Sequence, residues 1–278
     1  MSVPVFVISL KSSSDRRENT HRQLEQAGVK YRLTEAVDGN ALNDEDIRNN
    51  NDFGIFKTGI YSRYLRKEEI GCTLSHLKIY RQIIDEMIPK ACIVEDDNVY
   101  SSGFGNLLEA IENNTGLCDL LYIGHRSECS SDAAIGRKTP LSGIDGYFIG
   151  EPFELPYGSH GYIITCEAAQ QLLDNAYPVK APIDVYLGNS AAIGIRTMLL
   201  QPPCVFSDPL FLSTIQDETT IVVRNPVSGA IRNLLRKNRM IFGILKNGTI
   251  KLRILRNSVL RFLRKNGIIK NRYARGIN

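Results

Sequence analysis

The chain has 278 residues, of which 43% are hydrophobic and 23% are charged, an ordinary composition for a soluble globular protein. This length allows one large α/β domain or two small ones, and the absence of any run of about 18 apolar residues argues against a membrane span. The net charge of +4 hides an asymmetry, because residues 219–278 hold 15 of the 34 Lys and Arg residues and none of the 30 acidic ones.

The N-terminus and the cysteines indicate a reducing compartment. The first ten residues lack the basic start and the long apolar run of a signal peptide, so we interpret them as a first β-strand. The six cysteines are scattered and form no CxxC pair, which favours buried, reduced thiols over disulfides or a zinc site, although spacing alone leaves a single bridge open. We therefore expect a cytoplasmic protein.

A β-α-β unit is predicted to follow this start. Residues 16–27 form its helix, which begins after a serine-rich stretch and is stopped by Gly28. Val29, Tyr31 and Leu33 then alternate with polar residues as a second strand. Polar residues follow both strands, and ligands of such sheets bind at strand ends.

Residues 40–66 show no clear period and are predicted to be a loop or an irregular helical insertion. Apolar residues at helical spacing predict a helix from Lys67 that ends at Pro89. The elements predicted after it are a strand at 91–97, a helix at 103–114, a strand at 117–124, a polar region to about 157, a strand at 162–164 and a helix at 168–175.

Three consecutive carboxylates, Glu95, Asp96 and Asp97, end the apolar strand that begins at Ala91. Residues i and i+2 of an extended chain point the same way, so Glu95 and Asp97 are expected to face one site and Asp96 the other side. Two hard oxygen donors at a strand end suit Mg²⁺ or Mn²⁺ holding a diphosphate. A solvated turn or a phosphorylatable aspartate pocket has a similar sequence, so the motif alone leaves these alternatives open.

Five short segments resemble the motifs of a known family, both in their residues and in their order along the chain. They are Val7–Leu10 with Asp15–Arg17, Ala36–Gly39, Glu69–His76, Val94–Asp97 and Gly158–Ile164. Together they resemble glycosyltransferase family 25, the bacterial lipooligosaccharide galactosyltransferases with relatives among collagen galactosyltransferases. The resemblance covers roughly residues 3–190.

The resemblance implies an α/β, GT-A type, Rossmann-like domain that binds a nucleotide-sugar donor, UDP-galactose being the usual one, and Mn²⁺ or Mg²⁺. We assign this domain to residues 1–218. Asp97 corresponds to the metal ligand. Glu95 corresponds to an acid near the ribose or the metal, and we assign it both as a metal ligand and as a catalytic residue. The metal would neutralise the charge that builds up on the departing UDP.

The family is inverting, so the acceptor hydroxyl attacks the anomeric carbon directly with one carboxylate as general base. Asp184 is the first candidate for that base, and the equally weighted alternative is a helix N-cap. Glu154 and Asp145 are outside candidates.

The resemblance also implies a set of binding residues. Those near the donor are Ser9, Leu10, Arg16, Asp38, Gly39, Ser75, His76 and Asp96. Those assigned to an acceptor or donor loop are His160, Gly161, Tyr162 and Gln216, the last within a stretch at 213–217 expected to close over the site. A plain strand-ending turn is the alternative for Asp38 and Gly39, and a structural histidine is the alternative for His76.

The basic tail, residues 219–278, is predicted to be mainly helical. In residues 250–265, apolar side chains such as Leu255 and Phe262 cluster on one side of a helical wheel and most basic ones lie on the other. Such a helix lies on an anionic membrane or binds an acidic partner, and packing on the protein's own acidic body is the alternative. Few aromatic residues argue against nucleic acid.

The sequence thus predicts a transferase that moves galactose to a lipid-linked lipooligosaccharide or lipopolysaccharide core acceptor, as a peripheral protein on the inner face of the bacterial cytoplasmic membrane. A transferase using UDP-glucose or UDP-N-acetylglucosamine and a non-catalytic glycan- or lipid-binding protein are alternatives. The lack of a glycine-rich phosphate loop argues against a nucleotidyltransferase. The acids on the third strand argue against a phosphoaspartate receiver.

Overall fold

The computed structural model describes residues 3–49, 52–58, 61–114, 116, 118–126, 135–152, 156–208 and 210–211. Its strands are β1 (Val5–Ser9), β2 (Tyr31–Glu35), β3 (Ile55–Thr58), β4 (Tyr61–Tyr64), β5 (Lys90–Glu95), β6 (Asn98–Tyr100), β7 (Leu120–Arg126), β8 (Thr139–Pro140), β9 (Phe148–Gly150), β10 (Tyr157–Thr165), β11 (Thr197–Gln201) and β12 (Val205–Ser207). Its helices are α1 (Ser14–Gln26), α2 (Asp44–Asn49), α3 (Lys67–Asp85), α4 (Phe104–Asn113), α5 (Cys166–Asp174) and α6 (Ile183–Gly188), with 3₁₀ turns at Gly39–Ala41 and Ser190–Ile193. None of these helices is long and apolar enough to cross a membrane.

The main sheet of the described residues is mixed and has eight strands in the order β2-β1-β5-β10-β7-β11-β9-β8. Strand β1 pairs in parallel with β2 and β5, whereas β10 runs antiparallel between β5 and β7. The chain passes from β1 to β2 on one side and returns to β5 on the other, so the strand order reverses at β1. Ligands of α/β sheets bind in the crevice at such a reversal, beyond the carboxyl ends of the strands. The predicted Rossmann-like α/β fold is confirmed for the described residues.

Helices cover both faces of this sheet. Phe6 and Ile8 of β1 join a core cluster with α3, α5 and α6, whereas Val5 and Val7 join a second cluster with α1 and α4. Successive strand residues point to opposite faces, so an inner strand covered on both sides needs an unbroken apolar run. This explains why the first strand reads as a continuous hydrophobic stretch.

Four predicted helices are confirmed within a few residues: the helix at 16–27 as α1, the one from Lys67 as α3, the one at 103–114 as α4 and the one at 168–175 as α5. Gly28, at φ +67°, follows α1 as expected for a residue after a helix end. Five of the six cysteines lie in the described residues and are free thiols, as predicted; Cys129 lies outside them.

The prediction of a loop or an irregular helical insertion over residues 40–66 is right for the short helix α2 and wrong for the antiparallel pair β3–β4, which it does not include. The polar region before 157 contributes β8 and β9 at the sheet edge, and β11 and β12 were not predicted. Strands of two to five residues are too short to display a clear apolar period. The predicted boundary at residue 218 and the basic tail lie outside the described residues.

Glu69 joins the start of α3 to strand β4. Its carboxylate accepts hydrogen bonds from Arg63 Nη1 and Nη2, both at 2.6 Å, and from the Arg66 backbone N–H at 2.9 Å. The backbone contact satisfies an N–H that precedes the first helical turn. Burial opposes ionisation of Glu69, but these donors hold its pKa below the usual value.

We expect Glu69→Gln to lower the free energy of unfolding at pH 7 by about 2 kcal/mol, because it removes a charged hydrogen-bond acceptor from Arg63. A carboxyl with a depressed folded pKa stabilises the protein above its unfolded value of 4.5, and this contribution is lost as pH falls through the folded pKa. Urea denaturation should therefore show the deficit shrinking below pH 4.5. The exposed change Glu109→Gln on α4 is the control. A deficit that is unchanged at low pH would contradict this account.

Candidate active site

A cavity of about 720 Å³ opens at the carboxyl ends of β1, β2 and β5, where the strand order reverses. Its walls are formed by one face of α3 and by residues from three segments, 8–16, 36–40 and 95–97. That volume includes space open to solvent. The predicted site residues that line it are Ser9, Leu10, Arg16, Asp38, Gly39, Ser75, Glu95, Asp96 and Asp97.

Arg16 of α1 holds the carboxylates of Asp96 and Asp97. Its Nη1 lies 3.4 Å from Asp96 Oδ1 and 3.3 Å from Asp97 Oδ2. Both acids therefore border the same cavity, and the prediction that Asp96 faces the other side is wrong. Strand β5 ends at Glu95, and the next two residues form a turn into β6, so the alternation of an extended chain stops there.

A single guanidinium does not offset three neighbouring carboxylates. Burial and the charge of Glu95 raise the pKa of Asp97 to about 6, in spite of Arg16. Burial also raises the pKa of Asp96, whose buried Oδ2 accepts no hydrogen bond from the described residues. The site therefore has unused capacity to bind positive charge or hydrogen-bond donors.

Glu95 is held from the neighbouring strand and helix. Strand β10 runs antiparallel to β5 with Gly161 opposite Val94, which brings the preceding residues of β10 to the carboxyl end of β5. There Ser159 Oγ donates to Glu95 Oε1 at 2.6 Å, and His76 Nε2 of α3 lies 3.7 Å from the same oxygen. Burial opposes ionisation of Glu95, but His76 and Ser159 hold its pKa at about 2. Glu95 is thus the acid of the triplet that ionises most readily.

The loop after β2 is fixed to α3 by close backbone contact. A Cβ on Gly39 would lie 2.1 Å from Lys67 O, and one on Gly71 would lie 2.7 Å from Val37 O, so neither position accepts a side chain without movement. Ser75 Oγ accepts a hydrogen bond from the Val37 N–H at 2.8 Å. Segments 36–39 and 69–76, both singled out in the sequence, therefore form one wall of the cavity.

His76 and Tyr162 belong to a buried polar network behind this wall. Nδ1 of His76 lies 2.6 Å from Tyr162 Oη, which is 2.7 Å from Tyr80 Oη. Neither His76 nor Tyr162 is exposed. The network links α3 to β10 and leaves His76 Nε2 directed toward Glu95.

The assignment of His160, Gly161 and Tyr162 to a loop is wrong, because all three lie inside strand β10, which contains the predicted strand at 162–164. A Cβ on Gly161 would come within 3.0 Å of the Val205 side chain, so this glycine allows β12 to pack on the sheet. His160 precedes it in the same strand; it is 7% exposed, and its carbonyl accepts from Asn98 Nδ2 at 2.6 Å. Gln216 lies outside the described residues.

Asp184 stands in the first turn of α6, whose N-cap is Pro182, so it is not the N-cap itself. The Val185 N–H donates to its Oδ1 at 2.7 Å. Burial raises the pKa of Asp184, with further contributions from Glu69 and Glu95. Asp184 is half-buried and does not line the cavity, and Asp145 is exposed. Glu154 lies outside the described residues.

The sequence missed several residues of this site. Glu68 and Cys72 line the cavity together with Ser75. Their spacing of four and three residues places all three on one helix face, a signal that was available once Ser75 had been selected. Asn98 was not identifiable: its Nδ2 bonds Glu95 O at 2.8 Å, across a turn that the sequence does not define.

The residues present fit a divalent cation of the hard type. Asp96 and Asp97 offer carboxylate oxygens beside the cavity, which is the ligand type that Mg²⁺ and Mn²⁺ prefer. The buried, unpaired Oδ2 of Asp96 and the raised pKa of Asp97 are the features that a bound cation would relieve.

Comparison with known proteins identifies relatives of this chain. Residues 2–187 match the model of glycosyltransferase family 25, described as an LPS biosynthesis protein. Procollagen galactosyltransferase 2 from Homo sapiens is 29% identical over 190 residues, covering 66% of this chain and 29% of that protein. The inactive glycosyltransferase 25 family member 3 from Homo sapiens is also 29% identical, over 194 residues that cover 66% of this chain and 31% of that protein.

The chain therefore spans less than a third of the length of the curated relatives that it matches here. Among solved structures, A197 from STIV is 14% identical and covers 78% of this chain and 100% of its own, with a TM-score of 0.38. The family match extends from β1 into α6 and includes the described cavity-lining residues. On this match, the chain belongs to glycosyltransferase family 25.

Proposed function

We propose that the protein transfers galactose from UDP-galactose to a lipid-linked lipooligosaccharide or lipopolysaccharide core acceptor, with inversion at the anomeric carbon and with Mn²⁺ or Mg²⁺ bound. The observation that carries this proposal is the convergence of the acid triplet, Arg16 and the Asp38–Gly39 turn on one cavity. The acids and Arg16 suit a metal-bound diphosphate. The turn after β2 offers polar groups for the nucleoside.

The donor contacts follow from the walls of the cavity. Asp96 and Asp97 would hold the cation, which would neutralise charge on the departing UDP. Arg16, now paired with both acids, would contribute positive charge to the diphosphate. Asp38 accepts from the Asn40 N–H at 2.9 Å, which leaves its second carboxylate oxygen for a ribose hydroxyl.

The transfer step requires a base for the acceptor. We propose Asp184 for this role, because its charge interacts with Glu95 and Cys72 of the cavity wall and burial raises its pKa, which makes it a better proton acceptor than an exposed carboxylate. The acceptor oxygen would bond to the anomeric carbon as the bond to UDP breaks, and the hydroxyl proton would pass to Asp184. Glu95, fixed by Ser159, would keep its negative charge throughout.

A non-catalytic binding protein is the second candidate. The relative that is named inactive and the relative that is named a galactosyltransferase have the same sequence identity to this chain, 29%. The two proposals differ in turnover. The complete acid triplet, with one strongly ionised member and one of raised pKa, favours the enzyme.

We expect Asp97→Asn to reduce Mn²⁺-dependent release of UDP from UDP-galactose by at least about 100-fold, because it removes a charged metal ligand. The same change should not lower the Tm of the metal-free protein, since it relieves repulsion among three carboxylates. Asp85→Asn, an exposed change at the end of α3, is the matched control. Full turnover by Asp97→Asn would refute the metal role, whereas UDP-sugar binding without any turnover by the wild type would favour the non-catalytic protein.

A panel of UDP-galactose, UDP-glucose and UDP-N-acetylglucosamine with Mn²⁺ tests the donor. We expect UDP release to be fastest with UDP-galactose. Discrimination between epimers requires a buried polar contact to one hydroxyl and is commonly large where such a contact exists. Faster release from either other sugar would reassign the donor and leave the transferase proposal standing.

We also propose that the basic tail, residues 219–278, holds the protein on the inner face of the cytoplasmic membrane. The support is its sequence: 15 basic residues, no acidic ones and an amphipathic pattern over 250–265. Such an anchor would bring the active site to a lipid-linked acceptor.

Reversing Arg261 and Arg264 to Glu should weaken binding to phosphatidylserine-containing vesicles by at least about 2 kcal/mol, or roughly 30-fold, because each lost basic residue near an anionic surface removes about 1 kcal/mol and each new carboxylate is repelled. Reversing the exposed Lys30 and Arg81 of the body is the matched control. Vesicle sedimentation measures both. Equal binding by the tail variant and the control variant would contradict the anchor.

A further inference from the structure

Cys72, His76 and Glu95 bring three different metal-ligand types together beside the cavity. The Cys72 sulfur, a ring nitrogen of His76 and a carboxylate oxygen of Glu95 all lie within 4.8 Å of one another. In the described part of the chain, this is the one group of His, Cys, Asp or Glu side chains with that spacing. The cysteine and histidine are four residues apart on α3 and therefore share a helix face, while Glu95 approaches from the end of β5.

The surroundings of His76 resemble those of a metal-binding histidine. Its Nδ1 lies 2.6 Å from Tyr162 Oη, and a metal-ligating histidine commonly donates its second N–H to such a partner. Its Nε2 is buried and makes no hydrogen bond within the described residues. Glu95 Oε1 lies 3.7 Å from this nitrogen.

The position of the proton on His76 determines what its Nε2 can do. When the Tyr162 hydroxyl donates to Nδ1, a neutral imidazole directs its Nε2–H at Glu95. When Nδ1 instead carries the proton donated to Tyr162, Nε2 presents its lone pair to a carboxylate, and the two repel each other. Either a second proton on the imidazole or a cation removes this repulsion. Donor atoms around a tetrahedral ion lie roughly 3.4–3.7 Å apart, given metal–ligand distances of about 2.1–2.3 Å. The separation of Nε2 and Oε1 already falls in that range.

We propose that Cys72, His76 and Glu95 form a binding site for a transition-metal ion of the Zn²⁺ type. Thiolate and imidazole ligands favour Zn²⁺ or Co²⁺ over Mg²⁺ and Mn²⁺, which distinguishes this site from the oxygen ligands of Asp96 and Asp97. Cys72 and Glu95 line the cavity, so an ion has a path to the site from solvent, and these three side chains would leave a fourth position for water. On binding, the Cys72 thiol releases its proton to solvent and the sulfur bonds to the metal.

The site has a consequence for catalysis, which rests on the proposed function. Glu95 lies two residues before Asp97, at the edge of the donor site. An ion bound to Glu95 would draw the Glu95 carboxylate away from that site. Zn²⁺ bound here would then inhibit the Mn²⁺-dependent transfer. The metal site itself is independent of this consequence and can be tested without any sugar donor.

Co²⁺ is the probe for the test, because a cobalt–thiolate bond gives a charge-transfer absorption band in the near ultraviolet. The full-length, reduced and metal-free chain should develop this band with one equivalent of Co²⁺ and lose it when Zn²⁺ is added. Cys72→Ser should abolish the band. Cys166→Ser is the matched control and should retain the band, since Cys166 is a half-buried thiol that lies 3.8 Å from the Ile83 carbonyl oxygen and is not part of the cluster.

A second variant tests the orientation of His76. Tyr162→Phe keeps the ring but removes the hydroxyl that holds Nδ1, and we expect the affinity for Zn²⁺ to fall by about 10–100-fold. Absence of the band in the wild type, or its persistence in Cys72→Ser, would overturn the proposal and indicate that a proton on Nε2 alone bridges His76 and Glu95. Because these measurements contain no donor, they do not depend on whether the protein transfers sugar.

Discussion

The constraint on which this molecule depends is the crowding of three carboxylates at the end of one central strand. Each acid is restrained by a different element: Glu95 by Ser159 of β10 and His76 of α3, and Asp96 and Asp97 by Arg16 of α1. These contacts are possible only because β5 lies between β1 and β10, next to the reversal of the strand order at β1. The topology of the sheet thus supplies the groups that make the acid cluster tolerable, and it leaves enough negative charge unpaired for a cationic ligand.

The second constraint is the close approach of backbone to backbone around the cavity. Gly39 and Gly71 allow the loop after β2 to lie directly on α3, and Gly161 allows Val205 of β12 to cover the sheet beside the acids. A side chain at any of these positions would push a wall outward. Such packing fixes the cavity before a ligand arrives, which lowers the entropic cost of ordering the site on binding.

The sequence predicted much of the fold because its core elements have strong local signals. The unbroken apolar run of β1, the helical period of α3 and Gly28 after α1 each define an element without tertiary information. The hairpin β3–β4 and the edge strands β8 and β9 were missed because their stability comes from pairing, and short segments show no period. Asp96 was assigned to the wrong side because the alternation rule applies only while the chain is extended, and β5 ends one residue earlier.

The same limit explains why His76 could not be assigned from the sequence, where it was open to a structural or a donor-site interpretation. The structure shows that the two are not exclusive, since one ring nitrogen serves the buried network with Tyr162 and Tyr80 and the other points to Glu95. Local spacing can put Cys72 and His76 on one helix face, but only the packing of α3 against β5 and β10 brings Glu95 and Tyr162 to opposite sides of the imidazole. The same imidazole thus contacts the buried network through Nδ1 and an acid of the cavity wall through Nε2. We therefore attribute its position to the site that the second nitrogen faces.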